Sequence, residues 1–277
     1  MQATSIRNAV VSGAASGLGE DISAALVAEG YRVFGTTLDE ESAGDRDGIV
    51  LSKVDVSDPA AVRAWAADVA AATGGSVDLL ISNAGILTPG PLEVIPFEDI
   101  VHEFEVNTFG PLHLVNAFLP QLREAQGRIV QISSISAVYP VPFNAPSAAS
   151  KAAAEALLIA YRAELSGMGI DVTIIQAGSM LTGGPAKSAA ALSAVAEAFT
   201  PEQRALYGES FARFTARFNG VQGLGMPSAD AARQVVAIAQ QQPAPSAAPL
   251  GDDAAAVLES VRTSTPEQLD ASRLAFI

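Results

Sequence analysis

A glycine-rich segment near the N-terminus is the part of the chain whose residue types point most directly to ligand chemistry. It runs from Ser12 to Gly19 and reads SGAASGLG. Glycines let a backbone turn tightly and lie close to a pyrophosphate, and a helix N-terminus offers free N–H groups and the positive end of its dipole. A phosphate-binding turn is therefore expected, and the alternative is a strand-to-helix turn without a ligand. The candidate contact residues are Gly13, Ser16, Gly17, Leu18 and Gly19.

The end of the second predicted strand bears on which nucleotide such a turn would bind. An acidic residue there would contact the ribose of NAD, and an arginine would bind the 2′-phosphate of NADP. This chain has Thr37 and Leu38 at that point, followed by three acidic residues, and the glycine turn has no Lys or Arg. Because carboxylates repel a 2′-phosphate, NAD is slightly favoured over NADP.

Strands and helices that alternate along the chain must position this turn. Strands are predicted at Arg7–Ser12, Tyr31–Thr37, Val50–Val54, Val77–Ser82, Gly127–Ser133 and Ile170–Gln176. Helices are predicted at Gly17–Glu29, from Asp58-Pro59 onward, across Phe97–Gln126 and over Ala148–Ser166. The strand interiors are nearly continuous in apolar residues, as a parallel sheet covered on both faces requires. The fold class expected is α/β, a doubly wound parallel sheet of Rossmann type.

The pattern changes after the sixth predicted strand. Residues 178–225 show no clear strand, and α/β folds often carry substrate lids at this point, so we expect a helical lid insert. A plain helical cap with its aromatic side chains in the core is the alternative. Pro243–Pro249 is expected to be a linker, and C-terminal helices are expected within 251–277, the second starting at Thr265-Pro266-Glu267. Residues 1–277 are expected to form a single domain. The aromatic residues of the insert are Phe199, Tyr207, Phe211, Phe214 and Phe218.

Composition argues against several classes of function. The chain has 16 Lys+Arg against 30 Asp+Glu, a formal net charge of -14, which disfavours nucleic acids and anionic membranes as partners. It has no cysteine and only two histidines, His102 and His113, so neither a metal site nor a Ser-His-Asp triad is expected. No apolar run approaches the roughly 18 residues needed to cross a bilayer, and a cytoplasmic location is expected.

The order of several short motifs resembles the short-chain dehydrogenase/reductase (SDR) family over nearly the whole chain. The glycine turn is similar to that family's TGxxxGxG motif, with Ser12 in place of threonine. Asp55-Val56 is similar to its adenine-binding pair, and Asn83-Ala84-Gly85 is similar to its NNAG motif. The resemblance implies an oxidoreductase that uses NAD or NADP and contacts it through these residues.

The same resemblance implies a catalytic site built from four positions. Asn107 sits where the family keeps an asparagine that holds a proton-relay water. Ser134 matches the serine that holds the substrate oxygen, and Lys151 matches the lysine that binds the nicotinamide ribose. The family's tyrosine, its general acid/base, lies thirteen residues after that serine and four before that lysine. Both counts arrive at Ser147.

Ser147 is the departure that bears most on function. An aliphatic hydroxyl has a pKa several units above the ~10 of a phenol, and it is too short to reach the place of a phenol oxygen. Loss of a general acid/base typically costs about 10²–10⁴-fold in rate. The chain is therefore expected to be an SDR oxidoreductase with impaired or altered activity, as a natural variant or through an engineered substitution. The alternatives are a non-redox nucleotide-binding sensor and a non-redox lyase or cyclase in the same pocket.

The segment after the sixth predicted strand departs from the family in a second way. The family usually has Pro-Gly there, and this chain has Ala177-Gly178. The resemblance still implies that Gly178, Met180 and Thr182 contact the nicotinamide end of the cofactor.

The substrate side resembles the hydroxysteroid and retinol dehydrogenase branch. The resemblance rests on Pro142-Phe143-Asn144 and the Phe-rich insert. It implies a small-molecule substrate, an alcohol or ketone with a bulky apolar body. Tyr139, Phe143 and Tyr207 are the candidate lining residues. Family members are commonly homodimers or homotetramers, which implies a homo-oligomer here as well.

Overall fold

The computed structural model describes residues 6–181 and 183–277, with the backbone alone for 183–187. Its strands are β1 Arg7–Val11, β2 Tyr31–Thr37, β3 Gly44–Arg46, β4 Ile49–Lys53, β5 Leu79–Ser82, β6 Arg128–Ser134, β7 Asp171–Ala177, β8 Met180–Leu181, β9 Met226–Pro227 and β10 Ala247–Leu250. Its helices are α1 Gly17–Ala28, α2 Pro59–Thr73, α3 Phe97–Phe104, α4 Gly110–Ala125, α5 Ala145–Leu165, α6 Gly183–Ala198, α7 Pro201–Gln222, α8 Ser228–Gln240, α9 Asp252–Thr263 and α10 Pro266–Leu274. A π-helical segment, Glu105–Phe109, joins α3 to α4.

Eight strands form one sheet in the order β10-β7-β6-β5-β1-β2-β4-β3. The strands pair in parallel, except that β3 runs antiparallel to β4 as a hairpin at the edge. The strand order reverses between β1 and β5, so the connections that follow these two strands emerge side by side. This confirms the predicted doubly wound parallel sheet, and it places the glycine turn at the position where such sheets bind ligands.

Apolar side chains cover both faces of the sheet. On one face α2, α4 and α5 pack through a cluster that includes Trp65 and Phe118, whose rings meet edge to face at 5.1 Å. On the other face α1 and α8 pack through Ile22 and Val235, which are fully buried. In the part of the chain that is described, no helix is both long enough and apolar enough to span a bilayer.

Helix α5 begins three residues earlier than expected, at Ala145 rather than Ala148. Pro146 falls in its first turn, where the missing N–H of a proline breaks no helical hydrogen bond. As a result Ser147 lies in the first helical turn, one turn ahead of Lys151 on the same helix.

Two expectations for the C-terminal half are wrong. The predicted linker Pro243–Pro249 ends in a strand, because residues 247–250 pair in parallel with β7. A proline is tolerated there because β10 is the edge strand of the sheet. The segment 178–225, expected to have no strand, contains the two-residue β8, which pairs with β9.

The aromatic residues of the 178–225 segment form a third cluster, separate from the two sheet faces. Phe199, Phe211 and Phe214 are buried in it together with Leu192. The ring centroids of Phe211 and Phe214 lie 5.2 and 5.4 Å from that of Phe143, which belongs to the loop before α5. The cluster therefore holds α6 and α7 against the loop that precedes Ser147.

We expect Phe211→Ala to lower the free energy of unfolding by about 3–5 kcal/mol, because the ring is 1% exposed and its removal leaves a cavity. Leu206→Ala on the same helix is the control, since Leu206 is 65% exposed, and it should change stability by no more than about 0.5 kcal/mol. Denaturant unfolding of both variants measures the difference. Equal losses would show that the cluster does not hold α7 in place.

Candidate active site

The turn between β1 and α1 is held against the end of β5 by the side chains of Ser12 and Asn83. The Ser12 Oγ accepts the N–H of Asn83 at 2.9 Å and that of Ala84 at 3.0 Å. In return the Asn83 Nδ2 donates to the carbonyl of Ser12 at 3.0 Å and lies 3.3 Å from that of Gly13. The turn and the Asn83-Ala84-Gly85 segment, predicted separately from the sequence, are thus one structure.

The helix that follows starts so close to the turn that only glycine fits at Gly19. A Cβ there would lie 2.0 Å from the carbonyl oxygen of Gly13 and 2.6 Å from the Asn83 Nδ2. The exposed Ser16 precedes the helix in an extended conformation, and its hydroxyl makes no capping hydrogen bond. With Gly17 and Leu18 in the first turn, the free N–H groups of α1 and this hydroxyl form a cradle that fits a diphosphate.

The residues expected at the adenosine end lie at the same edge of the sheet. Thr37 is buried, and its Oγ1 accepts the N–H of Asp39 at 3.0 Å, whereas Leu38 is 70% exposed. The Asp55 Oδ1 accepts the N–H of Ser57 at 2.9 Å, and Val56 is buried beside it. Leu38 and Asp55 are therefore the apolar and the acidic side chain available to an adenosine at this edge of the sheet.

Strand pairing adds a cation here that the sequence analysis missed. The register of β2 and β4 sets Lys53 beside Thr37. The Lys53 Nζ forms an ion pair of 2.7 Å with the Glu40 Oε2, and both side chains are more than half exposed. Lys53 lies 16 residues after Thr37 in the chain, and only the parallel pairing of β2 with β4 brings the two together.

Asn107 lies in the π-helical segment and joins three parts of the site. It is fully buried, and its Oδ1 accepts the N–H of Ile86 at 2.9 Å. Its Nδ2 lies within 3.1 Å of three acceptors, the Ile86 carbonyl, the Glu103 Oε1 and the Ser150 Oγ. One amide therefore connects the loop after β5, the end of α3 and the start of α5. π-Helical segments of this kind often occur at functional sites.

Glu103 is a buried carboxylate that the sequence analysis did not identify. It has no exposed surface, and its Oε2 accepts the N–H of Thr88 at 2.9 Å while its Oε1 accepts from Asn107. Burial raises the pKa of Glu103, although these hydrogen bonds and the charge of Lys151 act in the opposite direction. The one available signal was its position four residues before Asn107, which puts both side chains on one side of a helix.

Lys151 lies near enough to two buried carboxyl groups, those of Glu103 and Glu155, for their charge to act on it. Its Nζ donates to the Ile132 carbonyl at 3.1 Å, and a Cβ built on Gly85 would lie 3.2 Å from this Nζ and 3.1 Å from the Asn107 Oδ1. Burial lowers the pKa of Lys151 and outweighs the negative charges of Glu103 and Glu155, which raise it. The resulting pKa is about 8. Burial also raises the pKa of Glu155, which accepts hydrogen bonds from Ser133 and Gln176.

The two predicted catalytic serines come after β5 in the chain, one at the carboxyl end of β6 and one in the first turn of α5. Ser134 is the last residue of β6, and its Oγ accepts the N–H of Ser136 at 3.1 Å. Ser147 is partly buried, and its carbonyl accepts a hydrogen bond from the Ser150 Oγ at 3.1 Å. Ser150 in turn hydrogen-bonds to Asn107, so the helical turn that carries Ser147 is tied to the Asn107 network.

The three candidate lining residues have partners of their own. The Tyr139 hydroxyl is hydrogen-bonded to Ser272, and the Arg273 guanidinium lies 5.2 Å above its ring, so helix α10 covers this tyrosine. Phe143 belongs to the aromatic cluster of the insert. The Tyr207 hydroxyl donates to the Glu93 carboxylate at 2.8 Å, which raises the pKa of this phenol.

Gly178 and Met180, two of the three residues expected near a nicotinamide, follow β7 directly. Gly178 donates its N–H to the Leu250 carbonyl at 3.1 Å, and Met180 lies in β8. Thr182 lies outside the described residues. Apart from Lys151 on α5, the predicted cofactor positions that are described lie at or directly after the carboxyl ends of β1, β2, β4, β5 and β7.

Comparison with known proteins identifies the family. The family model described as short chain dehydrogenase matches residues 7–192, and the chain belongs to this family. It is therefore an oxidoreductase by descent, with a fold that serves a nicotinamide cofactor. A short-chain dehydrogenase from Streptomyces avermitilis has the same architecture, with a TM-score of 0.78, 29% sequence identity and 99% of both chains covered.

Three relatives are reductases or dehydrogenases named for different substrates. The chain is 31% identical to an NADPH-dependent 3-dehydrocapnine reductase of Ornithobacterium rhinotracheale, with 80% of each chain covered. It is 33% identical to an NADPH-dependent 1-acyldihydroxyacetone phosphate reductase of Schizosaccharomyces pombe, over 69% of this chain and 64% of the relative. It is 32% identical to retinol dehydrogenase 8 of Bos taurus, over 64% of this chain and 60% of the relative. The chain thus spans less than two thirds of the length of the last two.

We expect Glu103→Gln to lower the pKa of Lys151 below about 8, because a neutral amide no longer stabilises the buried ammonium. The sequence has three lysines, so NMR of the ¹⁵N-lysine-labelled protein can follow the titration of Lys151. Glu105→Gln is the control, since Glu105 is about half exposed and faces His102. An unchanged Lys151 titration in Glu103→Gln would contradict the electrostatic link between the two groups.

Proposed function

We propose that this chain transfers hydride between a nicotinamide dinucleotide and an apolar ketone or alcohol, with a proton step that does not use a tyrosine. The observation that carries the proposal is the cradle of free N–H groups at the start of α1, where only glycine fits at Gly19 because a Cβ would lie 2.0 Å from the Gly13 carbonyl oxygen. This cradle follows β1, next to the loop after β5 that Asn107 holds, and Ser134 ends the neighbouring strand β6. When bound, the nicotinamide supplies or accepts the hydride. The residues of the chain must then hold the substrate oxygen and move one proton.

We assign the place of the family's tyrosine to Ser147. It lies one helical turn before Lys151 on α5, where the motif of the family has the tyrosine. Its hydroxyl has a pKa far above neutrality and serves as a hydrogen-bond partner rather than as an acid. Ser134 and Ser147 together would hold the substrate oxygen, or a water next to it.

Lys151 is then the ionisable group best suited to the proton step. A pKa of about 8 lets the ammonium lose its proton near neutral pH, as a general acid requires. Lys151 lies one helical turn after Ser147 and its Nζ donates to the Ile132 carbonyl, so a water next to Ser147 would carry the proton to the substrate oxygen. Glu103 and Glu155 raise the pKa of Lys151 against the effect of burial, so the ammonium can donate a proton in reduction and the amine can accept one in oxidation.

The apolar substrate is proposed from the surroundings of the site and from the names of the relatives. Those names include retinol and an acylated dihydroxyacetone phosphate. Ile86 and Leu92, in the loop after β5, and Leu181, in β8, are each at least 38% exposed. Large exposed apolar side chains around a site suit a hydrocarbon substrate.

The insert is proposed to act as a lid over this substrate. Phe211 and Phe214 contact Phe143, which lies four residues before Ser147. The Tyr207–Glu93 hydrogen bond joins α7 to the loop after β5. A lid movement of α7 would therefore displace the loop before α5 and the loop after β5, which both border the site. If α7 were a plain cap, these two loops would stay in place.

We propose NADP(H) as the cofactor, in contrast to the slight preference for NAD that the sequence suggests. Two of the relatives are named NADPH-dependent. Lys53 is the cation that could accept a 2′-phosphate, since it lies beside Thr37 and needs only to leave Glu40. Exchanging one exposed carboxylate for a phosphate costs the lysine little.

We also propose a homodimer or homotetramer that assembles through α4 and α5, and a cytoplasmic location. Phe109, directly before α4, is 45% exposed, and Ile159 on α5 is 59% exposed. Ala156 lies on the same exposed side of α5, where a small side chain permits another helix to come close.

Ser147→Tyr is expected to raise the rate of ketone reduction about 10²–10⁴-fold, because it supplies a phenol at the place of the family's general acid. Ser147→Phe is the matched control, since it adds the same ring without the hydroxyl, and it should give no gain. The measurement is the decrease in nicotinamide absorbance with NADPH or NADH and a panel of apolar ketones.

The other outcomes of this experiment separate the alternatives. If neither this chain nor Ser147→Tyr reduces any ketone, the oxidoreductase proposal is wrong. Nucleotide binding without turnover in both forms would point to a sensor. Conversion of a substrate without a change in nicotinamide absorbance would point to a lyase or cyclase.

Lys53→Met is expected to weaken NADPH binding several-fold and to leave NADH binding unchanged, because only NADPH carries the 2′-phosphate. Glu40→Gln should strengthen NADPH binding, since it frees the lysine and removes a negative charge. Titration calorimetry with both nucleotides measures the two ratios. A parallel change for NADH and NADPH in either variant would exclude Lys53 as the phosphate partner.

A further inference from the structure

The loop after β7, residues 178–180, is held by segments that lie outside the family match. The match ends at residue 192, whereas the contacts to the loop come from residues 226, 250 and 253. Met226 donates its N–H to the Ser179 carbonyl at 3.0 Å, and the Leu250 carbonyl accepts the N–H of Gly178 at 3.1 Å. The conformation of this loop therefore depends on the C-terminal part of this chain.

Asp253 makes the closest of these contacts. Its Oδ2 accepts the N–H of Ser179 at 2.7 Å, and its Oδ1 accepts the N–H of Ala254 at 2.9 Å. A Cβ built on Gly178 would lie 2.2 Å from this Oδ1. The carboxylate thus occupies the space of a side chain at 178 and satisfies the main chain one residue later.

The position of Asp253 in α9 explains why a carboxylate is stable there. It lies in the first turn, where N–H groups lack partners and the helix dipole favours negative charge. One carboxylate oxygen accepts the N–H of Ala254 in the helix, and the other accepts the N–H of Ser179 in the loop. An asparagine could accept only one of these hydrogen bonds, because its amide nitrogen would face a second N–H donor.

We propose that Asp253 is a positioning residue for the nicotinamide half of the cofactor, because it fixes the main chain of the Gly178–Met180 loop. This inference rests on the proposed function, which assigns that loop to the nicotinamide. The adenosine half is assigned to elements at β1, β2 and β4, which Asp253 does not contact. Asp253 should therefore affect binding of the intact dinucleotide and not of its adenosine diphosphate ribose part.

The test compares two nucleotides that differ only in the nicotinamide. Kd is measured for NADPH and for 2′-phospho-ADP-ribose, or for NADH and ADP-ribose if the chain binds NADH more tightly. Asp253→Ala is expected to weaken binding of the dinucleotide about tenfold and to change binding of the ribose compound by less than about twofold. Asp252→Ala is the control, since it removes a carboxylate from the same helical turn, and it should change neither.

A double substitution separates positioning from general loss of stability. Gly178→Ala alone should weaken dinucleotide binding, because its Cβ collides with the Asp253 carboxylate. Gly178→Ala combined with Asp253→Ala should bind no more weakly than Asp253→Ala alone, because the collision is gone. Thermal unfolding of all variants checks that the comparison is made on folded protein.

Each result has a definite meaning. Equal weakening for both nucleotides, an unchanged dinucleotide Kd in Asp253→Ala, or additive losses in the double variant would overturn the assignment of Asp253 and leave the proposed function standing. If the unaltered chain binds no nicotinamide nucleotide, the proposed function itself fails.

Discussion

The exchange of hydrogen bonds between Ser12 and Asn83 is the constraint on which the site depends. It joins two loops that are about 70 residues apart in the chain and follow neighbouring strands, at the point where the strand order reverses. Since both side chains bond to main-chain groups of the other loop, neither loop can move alone. The close approach of Gly19 to Gly13 depends on this fixed turn, and so do the free N–H groups at the start of α1.

A second constraint is the burial of charge around Lys151. The buried carboxyl groups of Glu103 and Glu155 lie near the Lys151 ammonium, and each is hydrogen-bonded to neutral groups. Burying an unpaired charge is costly, so removing any one of the three would leave the others poorly compensated. Since residue 147 is not a tyrosine, these three groups with perturbed pKa values are the candidates for proton chemistry next to it.

The features that could be predicted from the sequence are those set by neighbours along the chain. The glycine turn follows its strand directly, and the position of Ser147 follows from two counts within one short segment. Lys53, Asp253 and β10 could not be predicted, because strand pairing or a contact over 74 residues creates them. Glu103 was missed for a different reason: between His102 and Phe104 in an amphipathic helix, a glutamate is typical of a solvent-exposed face.

The absence of a phenol at residue 147 changes the chemistry of the site more than its architecture. Ser147 is partly buried in the first turn of α5, and that turn is held by the Asn107–Ser150 contact and by the Thr108 hydroxyl, which donates to the Ser150 carbonyl at 2.8 Å. None of these bonds uses the side chain of residue 147. An exchange of serine for tyrosine at this position therefore removes none of the hydrogen bonds that hold the turn. A site with this arrangement can bind a dinucleotide whether or not it can complete the proton transfer quickly.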